Sequence, residues 1–157
     1  MSDAGRRFDV KLLEESLSKL EETYIKAVLL FGSTARGESE SKSDVDLLVL
    51  HEDCPIKDAV ERRRFLYELL LKALRGKFEA ITIIDMELKE FLKPKEITSL
   101  LLNIYWDAIV VYDEMGSLQS FLNHVRKRIA ESGLRRVKNG KAYRWILPEP
   151  LKEVKIL

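Results

Sequence analysis

The sequence predicts an α/β protein: a small mixed β-sheet with helices packed against it, followed by a C-terminal helix and β-hairpin extension. Three observations carry this prediction. The runs YIKAVLLF (24–31) and VDLLVL (45–50) are apolar on both faces, as in strands covered from both sides. Segments with apolar residues at helical spacing alternate with such runs. In the tail, LRRVKNGKAYRWIL places Asn139-Gly140 between two strand-like halves, a pairing suited to a type I′ hairpin turn.

Element by element, Phe8, Leu12, Leu13, Leu17 and Leu20 recur at helical spacing and mark a surface helix over 8–20. The two aliphatic strands follow. Ile56, Ala59, Val60, Leu66, Leu69, Leu70, Ala73 and Leu74 mark a long amphipathic helix over 56–74, with Gly76 where a C-terminal cap belongs. KFEAITII (77–84) reads as a third strand. A short helix over 86–92, a break at Pro94, an apolar helix over 96–105 and a strand from Ala108 come next, then a helix over 117–131 and the hairpin.

With 157 residues the chain fits one domain and can bury a core without staples. Apolar residues at 46% and charged residues at 34% exclude disorder over most of its length, and no apolar run approaches the roughly 18 residues that span a bilayer. The N-terminus lacks the apolar centre of a secretory signal, and the single Cys54 cannot form an internal disulfide, so a reducing cytoplasm is the expected location. A net charge of +1 selects no partner.

The chemistry concentrates in LLFGSTARGESESKSDVDLLVL (29–50). Asp44 and Asp46 stand at i and i+2 where a strand begins, so the period of two turns both carboxylates to one face. Two such anions are tolerable when solvated, when they share a proton, or when they coordinate a hard cation such as Mg²⁺. Gly32 lets backbone approach a ligand closely, and Ser33 offers a hydroxyl beside it. Gly32 and Gly37 also fit the start of a P-loop, but that motif needs Lys at the next position and this chain has Glu38, which excludes it.

Gly32-Ser33, ten intervening residues and Asp44-Val45-Asp46 match G-S-x10-D-x-D, and FGSTARGE…SDVDLLV closely resembles minimal nucleotidyltransferases of the DNA polymerase beta-like superfamily, over about residues 20–112. The resemblance implies that family's fold, with a catalytic domain over 1–113 and a basic helix-hairpin extension over 114–157. It implies metal-dependent transfer of a nucleoside monophosphate, AMP first among them, from a nucleoside triphosphate such as ATP to a hydroxyl. In that reaction Asp44, Asp46 and Glu79 are the catalytic and metal-holding carboxylates for Mg²⁺, with Mn²⁺ as an alternative. Glu79 is a departure, since relatives more often carry Asp there; Asp85 is the fallback. Gly32 and Ser33 grip the β- and γ-phosphates, and Arg36 offsets developing charge or is simply solvated. The family also works beside separate helical proteins in toxin–antitoxin pairs, so a helical partner protein is implied.

Other residues have plainer readings. His51 and His124 read as surface histidines, and Cys54 as a packed or exposed thiol. In the tail Arg126, Lys127, Arg128, Arg135, Arg136, Lys138, Lys141 and Arg144 face a single acidic residue, Glu131, with Tyr143 and Trp145 interleaved. That patch suits RNA contact by phosphate neutralisation and base stacking, or else is the two faces of an ordinary hairpin. A site with so few enclosing elements also suits completion by a second copy of the chain. The alternative to catalysis is a nucleotide- or nucleic-acid-binding subunit that acts by contact with a partner.

Overall fold

The computed structural model of the protein describes residues 3–38, 44–148 and 154–157. The element order is α1 (Asp3–Leu17), β1 (Ile25–Phe31), α2 (Gly32–Arg36), β2 (Asp44–His51), α3 (Ala59–Leu74), β3 (Ala80–Glu87), α4 (Leu88–Leu92), α5 (Ser99–Asp107), β4 (Ile109–Asp113), α6 (Leu118–Glu131), β5 (Arg135–Asn139) and β6 (Ala142–Ile146). Four strands form one sheet in the order β3-β2-β1-β4, and β5-β6 is a separate hairpin. Strand β1 runs antiparallel to both β2 and β4, whereas β2 and β3 are parallel, so the sheet is mixed as expected. Parallel neighbours need a long crossover, and α3 supplies it.

Alternation along the central strands creates two cores. Val28, Leu30, Val45, Leu47 and Val49 pack with Leu13 and Leu17 of α1 and Leu66 and Leu70 of α3. Leu29, Leu48 and Leu50 pack on the other face with Phe91, Leu101, Tyr105, Leu122 and Val125 of α4, α5 and α6. Both helix starts at α3 and α5 are capped by side chains: Asp58 accepts from the Glu61 N–H and Thr98 from the Leu101 N–H. The two apolar faces read from β1 and β2 in the sequence are therefore real, and they fix the helices on both sides.

Three expectations need correction. The third strand begins at Ala80 rather than Lys77. Lys77 is held back by a 2.7 Å bond from its ammonium to the Ser16 hydroxyl and Phe78 is buried, so the chain enters the sheet only after Glu79. The hairpin turn is displaced by one residue: Asn139 pairs with Ala142, which puts Gly140 and Lys141 at the centre. Only Gly140 has a positive φ, at 65°, so the turn has the character of type II′ rather than I′. His51 is buried, not on the surface; it is the last residue of β2, and its Nε2 donates to Asp85 Oδ2 at 2.9 Å. His124 is exposed and Cys54 is buried, as a surface histidine and a packed thiol should be.

Asp85 is the polar anchor between the sheet and α3. Its side chain is 1% exposed and also accepts from Arg62 Nε at 2.7 Å and Arg63 Nε at 3.2 Å. Burial pushes its carboxyl upward, but the bonds from Arg62, His51 and Arg63 outweigh that and hold it below the usual carboxylate range. A lowered folded value means stability present above the unfolded pKa of about 3.9 and lost as pH falls through the folded one. Asp85→Ala should therefore cost about 1–3 kcal/mol in chemical denaturation at pH 7, because buried His51 and mostly buried Arg62 lose their acceptor while the more exposed Arg63 turns to water. The cost should shrink at the acid end of a denaturation series taken from pH 6 to pH 2; a constant difference would show that the charge is immaterial.

Candidate active site

Strand β1 passes directly into α2 at Gly32. That residue has φ 77°, in the left-handed region that glycine favours, and a Cβ built there would collide with the Asp46 carboxylate. Backbone and carboxylate thus meet with no side chain between them. Buried Thr34 donates its hydroxyl to the Asp44 carbonyl oxygen at 2.6 Å, which ties α2 to the first residue of β2 across the chain between them. At the end of α2 the Gly37 N–H bonds Thr34 and the Glu38 N–H bonds Ser33, closing a compact turn. The rest of the expected polar loop, 39–43, lies outside the described residues.

Asp44 is exposed and Asp46 half-buried, and both share the face of β2 that carries Leu48 and Leu50. Burial pushes the Asp46 carboxyl above its ordinary value; a Thr82 hydrogen bond and the Arg36 charge pull it down, and Asp44 pushes it up again. The register of the parallel pair explains Thr82: Asp44 stands opposite Ala80 and Asp46 opposite Thr82.

The structure brings Asp44, Asp46, Gly32, Ser33 and Arg36 to one end of the sheet; Glu79 precedes Ala80 at that same end, but it does not complete a three-carboxylate group with Asp44 and Asp46. Glu79 sits exposed in the bend before β3. Among the described residues no group of three His, Cys, Asp or Glu side chains is placed to hold a metal ion. Asp85 lies within β3 on the opposite face, engaged with α3. A cavity of about 290 Å³ lined by His51, Cys54, Ile56 and Arg62 opens at the far end of β2 and is remote from the aspartate pair.

Arg36 is half-buried and held on three sides. Its Nε lies 3.3 Å from Glu38 Oε2, its Nη1 3.5 Å from Asp107 Oδ2, and its guanidinium carbon 4.8 Å from the centre of the Tyr143 ring. The tail's basic residues divide. Arg126 donates to the carbonyls of Tyr105 and Ala108 at the end of α5, and Arg136 pairs with Asp107, so these two are structural; Lys127, Arg135, Lys138, Lys141 and Arg144 are exposed. Thr34, Glu38, Thr82 and Asp107 carry no site signal in the sequence, because each acts through a neighbour that only the fold supplies.

A mixed α/β sheet with a glycine turn laid against paired carboxylates defines the class: a compact α/β protein with an anionic, glycine-backed site at one sheet end. The family model described as nucleotidyltransferase domain matches residues 10–136, and the chain belongs to that family. It is 29% identical over 118 residues to the "putative protein adenylyltransferase" of Methanocaldococcus jannaschii, covering 73% of this chain and 79% of that one. Among solved structures, the "putative nucleotidyltransferase" of Sulfolobus solfataricus superposes with a TM-score of 0.49 at 18% identity, covering 72% of this chain and 87% of that one. A toxin–antitoxin structure with AMP-PNP gives 0.41 at 19%, covering 80% and 90%. Among the described residues no helix is long and apolar enough to cross a membrane.

Two outcomes follow for stability. The raised Asp46 carboxyl contributes to folding below its unfolded pKa and loses that contribution as pH rises through the folded value, so its charge is a burden at pH 7. Asp46→Asn should raise the thermal midpoint at pH 7, with the gain fading toward pH 4; a lowered midpoint at pH 7 would contradict this. Gly32→Ala should lose about 1–3 kcal/mol from its backbone conformation, read by chemical denaturation, with more lost through the contact with Asp46.

Proposed function

We propose that this protein transfers AMP from ATP to a hydroxyl of an acceptor protein and releases pyrophosphate. The observation that carries the reading is the Asp44–Asp46 pair, aimed to one side at the open end of β2 against the bare backbone of Gly32, in a chain of the nucleotidyltransferase family. The name of the Methanocaldococcus relative supports a protein acceptor, and a separate helical partner is one such acceptor.

The donor set fits a hard divalent cation. Mg²⁺ commonly takes one or two carboxylates together with substrate phosphates, and two same-face carboxylates with no third joining them among the described residues make that set. Asp44 and Asp46 would hold Mg²⁺, or Mn²⁺, and a cation bound there would neutralise triphosphate charge and acidify the acceptor hydroxyl. Gly32 leaves the space beside Asp46 free of side chain, so phosphate oxygens can approach the backbone. Ser33 offers its hydroxyl to the β- and γ-phosphates. The Arg36 guanidinium, whose charge already acts on Asp46, offsets negative charge as the bond from the α-phosphorus to the bridging oxygen breaks. The acceptor oxygen attacks the α-phosphorus, its proton passes to solvent, and pyrophosphate departs.

A second reading has one observation in its favour. Thr82 rather than a carboxylate stands opposite Asp46, and Glu79 is outside the strand, so the chain also suits a subunit that binds nucleotide and acts on a partner by contact.

Label transfer from α-³²P-ATP with Mg²⁺ into a lysate separates the two. The expected product is protease-sensitive and ribonuclease-resistant, and Asp46→Asn should lower its yield by about 10²-fold or more. Ribonuclease-sensitive label would make RNA the acceptor. No Asp46-dependent label with any of ATP, GTP, CTP and UTP would establish the contact reading.

A further inference from the structure

The C-terminal hairpin reaches the active-site turn through one continuous polar seam. Tyr143 lies between two guanidiniums, with Arg36 4.8 Å and Arg136 4.3 Å from its ring centre, and its hydroxyl donates to Glu38 Oε1 at 2.6 Å. Asp107, 8% exposed at the end of α5, accepts from Arg136 Nη1 at 2.5 Å and faces Arg36 Nη1 at 3.5 Å. Below this layer Asn103 locks the hairpin in place: its Oδ1 accepts from Trp145 Nε1 at 2.9 Å and its Nδ2 donates to the Tyr143 carbonyl at 3.3 Å.

We propose that Tyr143 and Asp107 are positioning residues for the transfer reaction, holding Arg36 at the end of the turn that begins at Gly32 so that its guanidinium meets the triphosphate already oriented. This rests on the nucleotidyltransfer reading above. An arginine side chain has many rotamers, and ordering one at the moment of binding weakens affinity; a carboxylate on one edge and an aromatic face beneath remove that loss beforehand. Charge at the seam still favours an anion. Arg36, Arg136 and Lys138, the last 5.8 Å from the Tyr143 ring centre, stand against the two carboxylates of Glu38 and Asp107. Glu38 adds a second tie, since it closes the turn that begins at Gly32 and is fastened to the hairpin by the same tyrosine.

The test combines ATP affinity, measured calorimetrically with Mg²⁺, and label transfer at saturating ATP, using the full chain. Tyr143→Ala and Asp107→Asn should weaken ATP binding by about tenfold and also lower the saturated rate by about tenfold, since a mispositioned Arg36 is lost to the bond-breaking step as well as to binding. Tyr143→Phe keeps the ring and should weaken binding by only about twofold to threefold. In an Arg36→Ala background, Tyr143→Ala should add nothing. The chain's two tryptophans, Trp106 and Trp145, form an edge-to-face pair 5.9 Å apart at this seam, so their emission reports hairpin docking and should be unchanged in Tyr143→Phe.

Unchanged affinity in Tyr143→Ala and Asp107→Asn, with wild-type transfer dependent on Asp46, would overturn the positioning role and leave the function standing. An additive loss in the Arg36→Ala background, or altered emission in Tyr143→Phe, would reduce the seam to a structural contact and overturn it equally. A wild-type chain that neither binds ATP nor transfers label would sink both.

Discussion

Strand β2 must satisfy two incompatible demands, and the rest of the molecule is arranged around them. From Val45 onward it lies in the middle of a four-stranded sheet with helices on both faces, and from Leu47 to His51 every residue is buried. At its first turn it carries two carboxylates. The compromise is spatial: α1 and α3 seal one face, α4 to α6 the other, and the short α2 lies at the end where the carboxylates sit. Asp46 is where the demands collide, half-buried and with its proton held more firmly than an ordinary carboxyl holds it. Folding free energy drawn from two apolar cores tolerates that burden.

The sheet holds a second buried aspartate with the opposite electrostatic character. Asp85 lies on the other face of the sheet, further along the parallel pair, and its three donors make its charge favourable where that of Asp46 is not. Side-chain partners account for the contrast. Asp46 has one hydroxyl bond and the charge of Arg36 set against burial and a neighbouring anion, whereas Asp85 is bonded by two guanidiniums and an imidazole. One carboxylate is satisfied by the chain itself and joins helix to sheet; the other is left for something else to satisfy.

What could be read from the sequence follows from how local each signal is. Strands β1 and β2, helices α3, α5 and α6, and the same-face aspartates with Gly32 all rest on patterns within a few residues, and all are present. The start of β3 was obscured because KFEAITII is uniformly strand-like, while what delays its entry is Lys77 reaching Ser16, 61 residues away. His51 and Asp85 meet only once the parallel register is set, so a polar H-E-D sequence at 51–53 looks like surface. Thr82 reaches Asp46 by the same register. The seam of Glu38 and Tyr143 joins residues 105 apart, and no window of sequence contains both. The tail's aromatics therefore suggested base stacking, whereas the Tyr143 ring lies against the guanidiniums of Arg36 and Arg136.

The contact between Gly32 and Asp46 constrains substitution as well as geometry. Any residue with a Cβ at 32 strikes the carboxylate at 46, so the two positions cannot change independently without cost. Alanine at 32 forces the carboxylate at 46 to swing away, so the cost of that change falls on the position of the carboxylate as well as on the backbone. Space is thus shared between positions 32 and 46, and what one of them holds sets what the other can do.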